Sequence, residues 1–90
     1  MYYIYVLLSL KDKNLYVGYT INLKQRFNLH MKGGIVSTKN RRPLKIVYYE
    51  GSLNQKDGLR RERYLKSSWG KRYLKNRIKN YITEMNQADS

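Results

Sequence analysis

The run Tyr2-Tyr-Ile-Tyr-Val-Leu-Leu-Ser9 carries no charge and is dense in β-branched, aromatic and leucine side chains. That composition favours a strand. The apolar stretch is only about ten residues long, too short to cross a bilayer, and no basic residue precedes it, so it reads as a buried strand and not as a signal segment. Ninety residues leave room for one core and one domain.

Polar residues Lys11-Asp-Lys-Asn14 then read as a turn, and residues 15–20, Leu-Tyr-Val-Gly-Tyr-Thr, as a second strand, which makes the opening a β-hairpin. Thr20 or Asn22 can cap a helix running to about residue 32, with Leu23, Phe27 and Met31 as its buried stripe and Gly33-Gly34 as its end. Residues 35–43 read as a basic loop and residues 44–50 as a third strand. Ser52 or Asn54 opens a second helix reaching about Ser67; Gly70 is expected to break it, and a third helix runs from about 71 to 85. Leu74, Ile78, Tyr81, Ile82 and Met85 fit one helical stripe, while Arg72, Lys75 and Lys79 form a basic stripe on another face. The expected fold is α+β: a three-stranded, mainly antiparallel sheet flanked by three helices in the order β-β-α-β-α-α. The domain spans 1–85, with 86–90 as a frayed tail.

Charge narrows the function. The chain has 19 Lys+Arg against 6 Asp+Glu, a formal net charge of +13. A small fold repels itself at that charge, so a polyanionic partner follows, nucleic acid first and an anionic membrane surface second. Nine of the 19 basic residues fall in 60–79. With no cysteine and one histidine, disulfide frameworks, Cys-based zinc sites and His-cluster metal sites are excluded, and the cytoplasm is the expected compartment.

The hairpin places chemistry on one face. A turn of even length such as one containing Asp12-Lys13 makes the residue numbers of paired positions sum to an odd value. Tyr5, Tyr16, Gly18 and Thr20 then share a face. A bare Gly18 there is expected to leave room for a substrate backbone. Arg26 and His30, four apart, share a face of the first helix beside the Leu23/Phe27 stripe. Glu62 lies three residues from Leu59 and three from Leu65, at the border of the apolar stripe, where Arg60, Arg61 or Arg63 could hold it in an ion pair.

Tyr3-Ile4-Tyr5 and Tyr16-Val17-Gly18, with Tyr16 eleven positions after Tyr5, resemble the two halves of the signature of the GIY-YIG nuclease superfamily. The resemblance continues through Asn22-Leu23-Lys24-Gln25-Arg26, His30, Glu62 and Leu74-Lys75-Asn76-Arg77, nearly the whole chain. It is nearest to stand-alone bacterial members; related domains occur in excision-repair incision subunits, phage homing endonucleases and some restriction enzymes. Tyr3 stands where the family name has Gly, a position that varies among members.

The resemblance implies an endonuclease that hydrolyses phosphodiester bonds with one divalent ion, Mg²⁺ or Mn²⁺, in DNA repair or processing. In its terms Arg26 binds the scissile phosphate, and His30 assists proton transfer or phosphate contact. Glu62 is the metal's one protein ligand, and Asn76 is a polar helper. Tyr5 or Tyr16 positions and deprotonates the attacking water, and Arg26 with the metal is expected to lower the tyrosine pKa. Lys39, Arg41, Arg42, Lys66, Arg72 and Lys75 are the expected nucleic-acid contacts, with DNA favoured over RNA and no membrane or small-molecule cofactor. The basic stripe and aromatic content would serve a non-catalytic nucleic-acid-binding module on the same fold equally well. Convergence of Tyr5, Tyr16, Arg26 and Glu62 separates a catalytic fold from a basic structural component. Oligomeric state is not legible.

Overall fold

A computed structural model describes residues 1–88, Ala88 by its backbone alone. Strands β1 (Tyr2–Ser9), β2 (Leu15–Thr20) and β3 (Leu44–Ser52) form one antiparallel sheet in the order β2-β1-β3. The apolar run is thus the central strand, buried from Ile4 to Ser9, and its near-continuous hydrophobicity reflects cover on both faces. On one face Ile4, Val6, Leu8, Val17 and Val47 pack against Leu65 of helix α3 (Gln55–Lys66), Leu74 of α4 (Ser68–Arg77) and Ile78, the C-cap of α4. On the other, Tyr5, Leu7 and Leu44 pack against Leu23 and Phe27 of α1 (Leu23–Met31). Helix α2 (Val36–Lys39) follows α1, and α5 (Lys79–Ala88) ends the described chain.

This is the expected α+β architecture and order, with refinements that have local causes. Asn22 caps α1 and Asn54 caps α3, each side chain accepting a backbone N–H three residues on. The α1 C-terminus closes as a Schellman turn: Gly34 N–H reaches Leu29 O, Gly33 N–H reaches His30 O, and Gly33 takes φ +79°. The buried stripe of α1 departs from expectation. Leu23 and Phe27 are only half-buried, Met31 is exposed, and the one fully buried residue is His30. A face reading 23, 27, 30 is as good a helical stripe as 23, 27, 31, and the tyrosines beneath α1 favour a polar residue at its end.

Within the basic 35–43 segment the chain forms the single turn α2, which the loop expectation missed. Gly70 does not break a helix. The break falls at Ser67, which caps α4 through its hydroxyl and Gly70 N–H, and a Cβ on Gly70 would overlap the backbone of Tyr64 and Leu65. Gly70 therefore permits close approach of α4 to the end of α3. The last helix is itself interrupted at Ile78, and α5 continues to Ala88, past the expected end at 85; residues 89 and 90 lie outside the described residues. Leu74 and Ile78 are buried as expected, Ile82 and Met85 pack partly against the same core, and Tyr81 is exposed.

Candidate active site

The hairpin register pairs Tyr5 with Gly18, Leu7 with Tyr16 and Tyr3 with Thr20, so the odd-sum expectation holds and the named residues share a face. Gly18 is buried, and a Cβ there would collide with the ring of Tyr5. Its bareness admits the Tyr5 phenol and not a substrate backbone, a correction to the sequence reading.

Three rings then gather. Tyr5 and Tyr16 have centroids 6.4 Å apart, and His30 stands edge-on to both, at 5.5 Å and 5.3 Å. Tyr5 and His30 are almost fully buried. The Tyr5 hydroxyl lies 2.8 Å from His30 Nε2, and His30 Nδ1 lies 2.7 Å from Thr38 Oγ1. Arg26 Nε–H donates to the Tyr5 oxygen at 3.4 Å. A guanidinium only donates, so we assign the Tyr5 proton to His30 Nε2 and the His30 proton to Nδ1, directed at Thr38. The i, i+4 spacing of Arg26 and His30 brings both side chains to one hydroxyl. Tyr16 is half-buried, and its oxygen accepts from Ser37 Oγ at 3.4 Å.

Electrostatics follow from this enclosure. Burial, with the charge of Arg26 adding to it, lowers the His30 pKa to about 4, so the ring is neutral at physiological pH. Burial raises the pKa of Tyr5; the Arg26 hydrogen bond pulls it down without cancelling the rise, and the charges of Tyr16 and Glu62 push it further up. Arg26 therefore lowers the Tyr5 pKa as expected, through its hydrogen bond and its charge, but burial outweighs it and the net shift is upward. Glu62, carried by α3, adds only the smallest of these contributions and makes no hydrogen bond to the cluster among the described residues.

Glu62 is partly buried, its side chain 18% exposed, and is held by Lys66 Nζ at 3.1 Å. Among the described residues no arginine pairs with it: Arg60 pairs with Asp57, Arg61 with Glu50, and no ion pair joins Arg63 to Glu62. Among the described residues no three of His, Cys, Asp and Glu cluster as a metal site, which leaves a lone carboxylate. A lone carboxylate is a hard oxygen ligand, of the kind that hydrated divalent ions such as Mg²⁺ or Mn²⁺ accept. Asn76 is exposed on α4, whose main packing partner is α3, and no hydrogen bond joins it to the cluster. Tyr5, Tyr16, Arg26 and His30 thus meet; Glu62 is paired with Lys66 and Asn76 is exposed, and no hydrogen bond among the described residues joins either to the four.

The expected nucleic-acid contacts divide. Lys39 and Lys75 are exposed, and Arg72 is exposed beside Trp69. Lys66 faces Glu62. Arg41 is engaged internally, gripping Asp12 at 2.7 Å and Asn14 O, and Arg42 donates to the carbonyls of Lys39 and Met31. Folding the 35–43 segment back onto the hairpin turn and the α1 C-terminus turns these two arginines into clips. Thr38, which locks the histidine, was missed; eight residues from His30 on another element, it carried no periodic signal.

Residues 1–76 match the family model described as the GIY-YIG catalytic domain. Among curated proteins, the "UPF0213 protein in ldhD 5'region" of Pediococcus acidilactici is 43% identical over 83% of this chain and 82% of its own length. A UPF0213 protein of Pediococcus pentosaceus is 41% identical over 94% and 90%, and one of Syntrophus aciditrophicus is 39% identical over 71% and 75%. No solved structure gives a significant match.

Proposed function

The chain belongs to the GIY-YIG catalytic-domain family, and from that premise we propose that it is a metal-dependent endonuclease hydrolysing phosphodiester bonds, acting on DNA in repair or processing. The observation that carries the reading is the convergence of Tyr5, Tyr16, Arg26 and His30 from two strands and one helix. A buried tyrosine–histidine–threonine chain adds nothing to a core that aliphatic side chains would not supply more cheaply, because each buried polar group must first lose its water.

Arg26 makes no ion pair among the described residues, and its one hydrogen bond leaves the outer guanidinium nitrogens for a non-bridging phosphate oxygen. Tyr5 orients the attacking water through its oxygen, while its own hydroxyl donates to neutral His30 Nε2 and is held in place by it. Thr38 keeps that nitrogen unprotonated by fixing the proton on Nδ1. Tyr16 stands beside both as the second water-positioning hydroxyl. Glu62 would hold the divalent ion, with Lys66 turning away towards solvent, where its side chain is already 55% exposed. A bound Mg²⁺ or Mn²⁺ would supply Lewis-acid stabilisation of the leaving oxygen.

Glu62→Gln tests this reading. The amide keeps size and hydrogen bonding and removes the charge. Cutting of supercoiled, flapped or branched DNA with Mg²⁺ or Mn²⁺ should fall at least ~100-fold, the usual scale for losing a main electrostatic stabiliser. The melting temperature should hold, because the only polar partner lost is an exposed lysine. A wild-type protein that binds these substrates and cuts none would instead identify a non-catalytic binding module.

A further inference from the structure

The corner where α3 passes into α4 takes no part in the chemistry above, yet it gathers aromatic surface and positive charge. Trp69, the chain's one tryptophan, is the second residue of α4 and is 69% exposed. The Arg72 guanidinium, one turn on, sits 5.1 Å from the indole centroid. Tyr64 closes α3 nearby in sequence, is 41% exposed, and has the Arg61 guanidinium 5.2 Å from its ring. Between residues 60 and 79 nine basic residues stand against one acid, Glu62, which Lys66 already neutralises.

We propose that this α3–α4 corner, centred on Trp69, is a stacking site for an unpaired base, so that the protein engages nucleic acid at a single-stranded segment. The proposal deepens the nuclease reading and takes its partner, nucleic acid, from it. Charge complementarity selects a polyanion. The exposed indole then selects among polyanions. Bases within a duplex hide their faces in the stack and offer a protein only edges and phosphates, whereas an unpaired base offers a π-face. Arg72 beside the indole can meet the adjoining phosphate while the base lies on the ring. Lys66, the partner of Glu62, ends α3 three residues before Trp69, so the two sites lie on consecutive elements of the chain. The apolar residues of α4, Leu74 above all, are spent on the core, which leaves Trp69 as a single protruding ring and not as part of an apolar stripe suited to a lipid surface.

The sole tryptophan reports on its own site. Wild-type protein in EDTA, where no metal supports cutting, is titrated with a mixed-sequence DNA oligonucleotide, its RNA counterpart and the blunt DNA duplex. Tryptophan emission and the anisotropy of labelled nucleic acid are read together. Either single strand should quench Trp69 at saturation, and the duplex should bind with its emission nearly unchanged. Trp69→Ala should weaken single-strand binding by about 10-fold, the scale of one lost base stack, with little effect on the duplex, and Trp69→Phe should recover most of that loss. Circular dichroism confirms folding of both variants. Unchanged emission at full single-strand occupancy, or single-strand affinity unaltered in Trp69→Ala, overturns the platform. If the strand is held through Trp69 but no substrate is cut with metal, the platform stands and the nuclease reading falls. If no nucleic acid binds, both fall.

Discussion

Two tyrosine-centred polar clusters flank the same sheet, and they differ in what their arginine does. Facing α3 and α4, Tyr48 donates to Glu50 at 2.7 Å, and Arg61 grips both carboxylate oxygens of Glu50 while lying against the rings of Tyr64 and Tyr73. Facing α1, Tyr5 contacts Arg26 and His30, and among the described residues no carboxylate bonds to either. Burial raises the tyrosine pKa in both places. In the first cluster every charge is answered: burial pushes Glu50 up, and its bonds to Arg61 and Tyr48 outweigh that push, leaving it below the ordinary value. In the second the cation is unanswered. A closed set of charges holds three elements together, and an open one can take a phosphate.

The sharpest way to break that contrast is to remove each arginine in turn. Arg26→Ala should lower cutting at least ~100-fold with little change in melting temperature, and Arg26→Lys should recover little, because an ammonium lacks the guanidinium fork. Arg61→Ala should do the reverse. It strands a partly buried Glu50, which should cost about 1–3 kcal/mol, less than the full penalty for a buried pair because both side chains keep a quarter to a third of their exposure. Cutting per folded molecule should hold. Denaturant melts beside a nicking assay read both arms, and a catalytic loss in Arg61→Ala equal to that of Arg26→Ala would erase the distinction.

Acid should also separate the clusters. His30 has a folded pKa of about 4 against about 6.5 in the unfolded chain. Between those values the unfolded chain binds a proton that the folded chain refuses. His30 therefore contributes stability that is fully present above about pH 6.5 and is lost as pH falls towards 4, a total of about 3 kcal/mol. Glu50 is also depressed, but from a carboxylate value, so its contribution persists across that window and fades only in stronger acid. Urea melts from pH 7 to 4.5 should show the loss in wild type and a flatter profile in His30→Gln. An equal slope in both would mean that the histidine titrates normally.

Gly18 sharpens the comparison from the sheet itself. Gly18→Ala places a methyl inside the Tyr5 ring, and the phenol must shift away from His30. Overpacking of this kind costs about 1–3 kcal/mol, and cutting should fall with it. Retained cutting at wild-type stability would show that the site tolerates a displaced Tyr5.

Much of this architecture is legible in the sequence. β-Branched, aromatic and leucine content with the polar turn between them placed β1 at 2–9 and β2 at 15–20, Ser52 or Asn54 as cap placed the start of α3, and the parity of the hairpin turn put Tyr5, Tyr16 and Gly18 on one face. What escaped was whatever depends on contacts between elements distant in the chain. Gly18 looked like space for substrate because no local pattern shows a ring crossing from the neighbouring strand. Gly70 looked like a breaker because propensity cannot register the approach of α4 to the backbone of α3. Thr38 and the Arg61–Glu50 pair join residues 8 and 11 positions apart on different elements, which helical or strand spacing does not encode. Arg41 and Arg42 counted as surface cations because charge is visible in a sequence and engagement is not.

That last distinction yields the smallest expected effect and extends the contrast between answered and unanswered charge to the whole basic surface. Lys75 is exposed on α4 with no ion pair among the described residues, whereas Arg41 is spent on Asp12 and Asn14. Each cation that neutralises a duplex phosphate adds about −0.9 to the slope of log K against log[salt]. If Lys75 meets a phosphate, Lys75→Ala should flatten the slope by about 0.9 and weaken duplex and single strand alike, since a phosphate contact reads neither sequence nor pairing. Arg41→Ala should leave the slope unchanged, because its guanidinium already faces a carboxylate whose pKa it holds down at about 2. The effect of Arg41→Ala should show instead as earlier melting of the hairpin turn. Slopes measured by anisotropy across a salt series in EDTA decide the matter: equal flattening by both variants would mean that Arg41 leaves Asp12 to meet the nucleic acid, and no flattening by either would move the duplex-binding surface away from α4.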